Sequence, residues 1–263
     1  MLYYIAPQMW AWGKDRVRKL APVSRLAVIL PFEEELFRSA GARAHFVGHP
    51  LADLPAPSEP RADFLGRIGV AAERPVLALF PGSRPQEVGR HLGVFVAASA
   101  HVRERMPDVQ PVLAASSAVP AGAYDDAGLP RTIDGWALLH HARAALVKSG
   151  TSTLQAALAG TPLVVTYRVH PVTFRLAQRL VRVPHVGLVN LVAGERIAPE
   201  LLQDDGTPSR LAAALLPLLD ADSSERRTAL HGIERVRVAL AARDPARTAG
   251  DRVADLAAEL LGG

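Results

Sequence analysis

An alternation of short apolar runs with helical stretches constrains this chain most. Leu2–Ile5 ends at Pro7, Arg25–Leu30 stops at Pro31, and Ala44–Val47 runs into Gly48-His49-Pro50. Val76–Phe80, Val109–Ala114, Ala144–Val147 and Leu163–Thr166 repeat the pattern. Runs without a polar alternate face are strands covered on both sides, and strands spaced by helices pair in parallel. The fold class is therefore α/β. Helices are expected at Asp15–Leu20, from Pro31 to a stop at Gly41, and at Ala62–Ile68, Val88–Arg105 and Leu154–Ala159. Others are expected at Val172–Arg182, Ser209–Leu219, Ser223–Ala242 and Arg247–Leu261.

The segment Leu54–Pro60 is rich in proline and has no periodicity, which marks a crossover between domains. It divides the chain into residues 1–60, a second domain over 61–242, and a C-terminal helix over 243–263 available to pack back on the first part. A chain of 263 residues accommodates one large domain or two small ones. With 49% hydrophobic and 21% charged residues it is neither disordered nor of low complexity. Cysteine is absent, which excludes a thiol nucleophile and a Cys-ligated metal site. The net charge of +4 comes without a clustered basic patch, so nucleic acid is not an expected partner. No uncharged apolar run reaches the roughly 18 residues that span a membrane. Met1 leads directly into Leu2-Tyr3-Tyr4-Ile5-Ala6 without the basic stretch of a secretory signal, and an apolar strand starting there is unusual.

Two loops carry chemistry. Phe80-Pro81-Gly82-Ser83-Arg84-Pro85-Gln86-Glu87 is a buried strand, a glycine turn and a helix start. Backbone N–H groups at such a start suit a phosphate, and Arg84 adds a forked cation. Ser83 with Gln86 also fits a capping box, so a plain turn explains the same residues. Lys148-Ser149-Gly150-Thr151-Ser152-Thr153-Leu154-Gln155 repeats the arrangement after another strand, and again Ser152 with Gln155 has cap spacing. Two such loops in one sheet point to a phosphorylated ligand or a nucleotide.

A third feature is basic. Arg168, Arg175, Arg179 and Arg182 recur at helical spacing beside Phe174, Leu176 and Leu180. Such a helix either covers a core with its charged face in water or lies on an anionic membrane surface. The histidines are scattered, with no metal-ligand spacing, and His140-His141 reads as a loop pair. The fingerprints of α/β-hydrolases, P-loop NTPases and standard dehydrogenases are absent.

These fragments together resemble the lipid-A-disaccharide synthases. Tyr3-Tyr4-Ile5-Ala6-Pro7-Gln8-Met9-Trp10-Ala11-Trp12 is similar to that family's "YYISPQVWAW". Phe80-Pro81-Gly82-Ser83-Arg84 with Glu87, Ser149–Pro162, and Val189–Gly194 with Pro199–Gln203 resemble further family segments in the same order. The resemblance implies a GT-B type fold: one complete Rossmann-like nucleotide-binding domain plus the back half of a second. It implies an inverting hexosyltransferase of lipid A biosynthesis that requires neither cofactor nor metal. Family members transfer 2,3-diacylglucosamine from UDP-2,3-diacylglucosamine to 2,3-diacylglucosamine 1-phosphate, giving the β-1,6 disaccharide and UDP. The donor-site residues carried over are Gly82, Ser83, Arg84, Glu87, Gly150, Thr151, Ser152, Gln155 and Asn190. Lipid substrates give Arg175, Arg179 and Arg182 a membrane-facing reading, with the protein cytoplasmic and peripheral on the inner face of the inner membrane. Self-association stays open.

Two departures stand out. The family has Glu where this chain has Gln155, at the expected ribose contact. The family also carries roughly a hundred further residues before the Tyr3-Tyr4 segment, with a Gly-rich loop and the Asp thought to act as base. On that pattern the catalytic base is expected upstream of Met1, and the chain as given is expected to bind donor without turnover. The alternatives are a non-catalytic UDP-sugar or membrane-surface binding fragment, and another GT-B enzyme acting on UDP-GlcNAc.

Overall fold

The computed structural model describes residues 1–7, 23, 25–169, 184–241, 244 and 246–262. The expected helices at Asp15–Leu20 and Val172–Arg182, the Trp10-Ala11-Trp12 segment, and Arg175, Arg179 and Arg182 lie outside the described residues.

In chain order the described elements begin with β1 (Leu2–Tyr4), β2 (Arg25–Val28), α1 (Pro31–Ser39), β3 (Ala44–Phe46), α2 (Arg61–Arg67), β4 (Val76–Phe80) and α3 (Pro85–Arg105). Then come β5 (Gln110–Ala114), β6 (Arg131–Thr132), α4 (Gly135–His141), β7 (Ala144–Lys148), α5 (Ser152–Leu158) and β8 (Leu163–Tyr167). The last are α6 (Leu188–Ala193), β9 (Glu200–Leu202), α7 (Pro208–Leu219), α8 (Ser224–Leu240) and α9 (Ala249–Leu261). His140 and His141, read as a loop pair, instead close α4, whose first turn is capped by Asp134 accepting from the Ala137 N–H at 2.9 Å.

The described residues form two compact units. One takes the described residues of Met1–Pro55 and Val236–Gly263; the other takes those of Ala56–Val169 and His185–Arg235. The first holds a parallel three-stranded sheet in the order β1-β2-β3. Its centre is β2, with Leu26, Ala27 and Val28 fully buried between Phe37 of α1 on one side and Leu256 of α9 on the other. The apolar strand β1 is an edge: among the described residues it pairs with β2 alone, and Tyr3, Tyr4 and Ile5 are exposed. Two bonds tie the chain's end to this unit, Ala249 N–H to the Asp53 carboxylate at 2.8 Å and His49 N–H to the Leu240 carbonyl at 2.9 Å.

The second unit is a six-stranded, all-parallel sheet in the order β6-β5-β4-β7-β8-β9. Its central strands are apolar apart from Lys148 at the end of β7 because helices cover both faces: Val76, Leu77, Ala78 and Leu79 have no accessible surface, nor do Ala144–Val147. The largest core joins these strands to Phe95 and Val102 of α3 and to Leu211 and Leu215 of α7. The connection leaves β4 toward β5 and β6, then returns to β7 on β4's other flank and proceeds to β8 and β9. The winding thus reverses between β4 and β7. In an open α/β sheet, this is where the strand ends leave a crevice.

Candidate functional site

The two loops singled out in the sequence flank that reversal. β4 and β7 are paired, Phe80 opposite Val147, so the loop Pro81–Arg84 and the loop Ser149–Thr151 emerge side by side at the carboxyl edge. Each needs its glycine. Gly82 has φ 136° and Gly150 φ 154°, and a Cβ on Gly82 would fall 2.4 Å from the Glu87 Cβ.

Neither expected capping box forms. The helix starts fall at Arg84 and Thr151, and neither side chain caps. Pro85 takes the first helical position of α3, which makes Glu87 rather than Gln86 the residue that reaches back: its Oε2 accepts the Ser83 N–H at 3.0 Å. In the second loop Ser149 is committed to the scaffold, donating to the Val186 carbonyl at 2.8 Å, and Thr153 donates to the Gly150 carbonyl at 2.8 Å. Ser83, Arg84 and Thr151 are exposed, and Ser152 and Gln155 are half-buried on the first turn of α5.

A cleft of about 530 Å³ opens beside these loops, lined among others by Arg84, Glu87, Arg90, His91, Lys148 and Arg168. Four cations and one carboxylate thus line it, with Lys148 and Arg84 paired to that carboxylate. Burial alone would raise the Glu87 carboxyl, but the Lys148 ammonium, the Ser83 N–H and the Arg84 guanidinium bring it below the usual carboxylate range. Lys148 Nζ lies 2.8 Å from Glu87 Oε1 and 5.3 Å from the centre of the Tyr167 ring. His91 is buried, and burial lowers its pKa. Its Nε2 accepts the Arg168 N–H at 3.0 Å, so the proton sits on Nδ1, 2.7 Å from the Glu87 carbonyl. This neutral imidazole fixes the start of α3 to the end of β8. A second hollow of about 710 Å³ is lined by Ser116, whose hydroxyl donates to the Ser83 carbonyl at 3.2 Å, and by Tyr124 and the exposed Ile133.

Asn190 is not among the groups that line this cleft. It has no accessible surface, and its amide is fully engaged. Nδ2 donates to the Ala198 carbonyl at 2.8 Å and to Glu200 Oε1 at 2.7 Å, while Oδ1 accepts the N–H groups of Ile197 and Ala198 at 3.0 and 2.9 Å. Glu200 in turn accepts the Val186 and Gly187 N–H groups, both at 3.0 Å. The pair holds the Val186-Gly187 segment, whose Val186 carbonyl receives the Ser149 hydroxyl. Sequence reasoning missed Lys148, His91, Arg90 and Arg168 as neighbours of the loops. The one available signal was a lysine, rare in this chain, ending an apolar strand directly before Ser149-Gly150-Thr151.

Comparison with known proteins adds a family. The model of the lipid-A-disaccharide synthetase family matches residues 1–247. The chain is 39% identical over 279 residues to a lipid-A-disaccharide synthase of Acidobacterium capsulatum, covering 99% of this chain and 69% of that protein. It is 39% identical over 270 residues to the synthase of Geobacter metallireducens, covering 100% of this chain and again 69% of the relative. Among solved structures, a UDP-N-acetylglucosamine 2-epimerase, itself described as putative, from Listeria monocytogenes has a TM-score of 0.58 at 12% identity, over 91% of this chain and 60% of that one. At that identity the likeness shows the fold, which is of the GT-B glycosyltransferase type.

Proposed function

Because this chain belongs to the lipid-A-disaccharide synthetase family, a family of lipid A glycosyltransferases, we propose that its second unit binds the UDP moiety of the sugar donor at the β4/β7 reversal. The observation that carries the reading is the pairing of two glycine loops at that point, beside a cleft ringed by cations. The donor is UDP-2,3-diacylglucosamine and the acceptor 2,3-diacylglucosamine 1-phosphate. As the bond from the sugar to the diphosphate breaks, negative charge grows on the departing UDP. The Gly82-Ser83 backbone, the Arg84 guanidinium and the Gly150-Thr151 loop stabilise that charge from fixed positions. Ser152 and Gln155 are placed for sugar or ribose hydroxyls, and the hollow past Ser116 takes the nucleoside. Asn190 supports the site through Glu200 without touching the donor.

No helix among the described residues is long and apolar enough to cross a membrane. Both substrates are lipids, so we assign the chain to a peripheral position on the cytoplasmic face of the inner membrane.

Isothermal titration with UDP tests the site. Saturable binding is expected, weakened about tenfold or more by Arg84→Ala, the worth of one hydrogen bond to a charged group. Absence of saturable UDP binding at millimolar concentration overturns the reading.

A further inference from the structure

The sequence places Lys148 at the head of the second glycine loop and gives it no role there. It is the last residue of β7, and its backbone continues the strand pairing with Thr166. Its side chain nevertheless reaches across the winding reversal. Nζ sits 2.8 Å from Glu87 Oε1 on the first turn of α3, and a Cβ on Gly150 would lie 3.8 Å from it. The ammonium therefore lies between the two glycine loops, touching the first through Glu87 and overhanging the second. It is partly exposed to the cleft that Arg84 and Arg168 also line.

The donor inventory says what such a group can do. An ammonium has three N–H donors. One is held by Glu87, and no other acceptor among the described residues meets the remaining two. A carboxylate has no donor to offer an ionised diphosphate, so Glu87 cannot bond one directly; close to it, Glu87 would repel it. Lys148 removes that conflict by standing between the two anions.

We propose that Lys148 contacts the diphosphate of the bound nucleotide, and that Glu87 is the positioning residue that aims it. The inference rests on the donor site proposed above. In the free chain the ammonium is held on Glu87. On binding it keeps that bond and gives its remaining donors to phosphate oxygens, so the site gains a cation without the cost of ordering a long flexible side chain. During transfer the same cation faces the charge that develops on the leaving diphosphate. Arginine would place its charge farther out on a planar fork, whereas the compact ammonium fits between the two loops.

The test titrates UDP and uridine, by ligand-observed NMR to millimolar concentration, against the wild-type chain, Lys148→Met, Lys148→Gln and Glu87→Gln. Lys148→Gln retains a donor for Glu87 without the charge, so it keeps the test open where Lys148→Met fails to fold. The expected result is a loss of about tenfold or more in UDP affinity for both Lys148 variants, with uridine unchanged. Glu87→Gln should weaken UDP in the wild-type background but not weaken it further in Lys148→Met, titrated as the double variant, where loss of the unshielded carboxylate restores part of the affinity. If wild type binds UDP and the Lys148 variants bind it equally well, the inference is overturned and the donor site stands. Equal loss of uridine and UDP also overturns it, because that is the mark of a collapsed site. If wild type binds no UDP, the donor site fails and the inference with it.

Discussion

Replacing Asn190 by alanine is expected to cost about 3–5 kcal/mol of stability, far more than a solvent-facing ligand contact would. The side chain has no accessible surface and makes four hydrogen bonds. Alanine strands the N–H groups of Ile197 and Ala198 and the Ala198 carbonyl, and takes one of the bonds that hold the Glu200 carboxylate. A buried group left unpaired costs about 1–3 kcal/mol. The Ile197 N–H is only partly buried and regains some solvation, which favours the lower part of the sum. The assay is urea unfolding followed by circular dichroism at neutral pH, with the slope checked for constancy.

Asn190→Asp sharpens the test. It would put a second carboxylate where Nδ2 now stands, 2.7 Å from Glu200 Oε1. Two carboxylates at that distance share one proton, so one pKa rises above its unfolded value. Between those two values the native variant holds a proton that the unfolded chain has released. Its stability therefore falls as pH rises through that interval and recovers as pH is lowered from 7 toward 5. A loss under about 1 kcal/mol for the alanine variant, or an aspartate variant as stable as wild type at pH 7, would refute the bracing role.

Three further outcomes are expected. Gln155→Glu should tighten UDP binding several-fold, because a carboxylate strengthens a bond to a hydroxyl; unchanged affinity removes Gln155 from the ribose. Gly82→Ala should destabilise the chain by about 1–3 kcal/mol and weaken UDP, since its φ of 136° strains any side chain and the added carbon would displace Glu87. Melting temperature at neutral pH, with the UDP titration, checks both effects, and a fully stable variant refutes the close approach. Burial, opposed by the Asp53 charge, holds His49 at about 4. The unfolded imidazole protonates near 6.5, so this contribution is intact above about pH 6.5 and is lost down to about pH 4, by at most roughly 3 kcal/mol. A urea series across that range should show a shallower slope for His49→Gln; parallel curves refute it.

Strands were legible where burial on both faces removed every polar residue, as in Val76–Phe80 and the first four residues of β7, Ala144–Val147. The edge strands Arg131–Thr132 and Glu200–Leu202 were not, because so few residues carry no period and neither run is continuously apolar. The second boundary between the units, read at residue 242 and lying at Val236, was hidden for a related reason. Ser224–Leu240 is one uninterrupted helix, and an unbroken apolar stripe does not record that its partners change at Val236.

The site divides along the same line between local and distant information. Each glycine loop was readable as a strand, turn and helix start. Their meeting at a winding reversal was not, since it depends on β7 returning to pair with β4. Lys148 stayed unseen because its partner Glu87 is 61 positions away. Asn190 shows the converse. A residue that braces a loop and a residue that touches a ligand are both intolerant of change, so a motif resemblance transfers both as one set. Burial and the tally of satisfied atoms separate them. By that test Asn190 and Glu200 belong to the scaffold, while Ser83, Arg84 and Thr151, exposed at the reversal, remain open to the ligand proposed there.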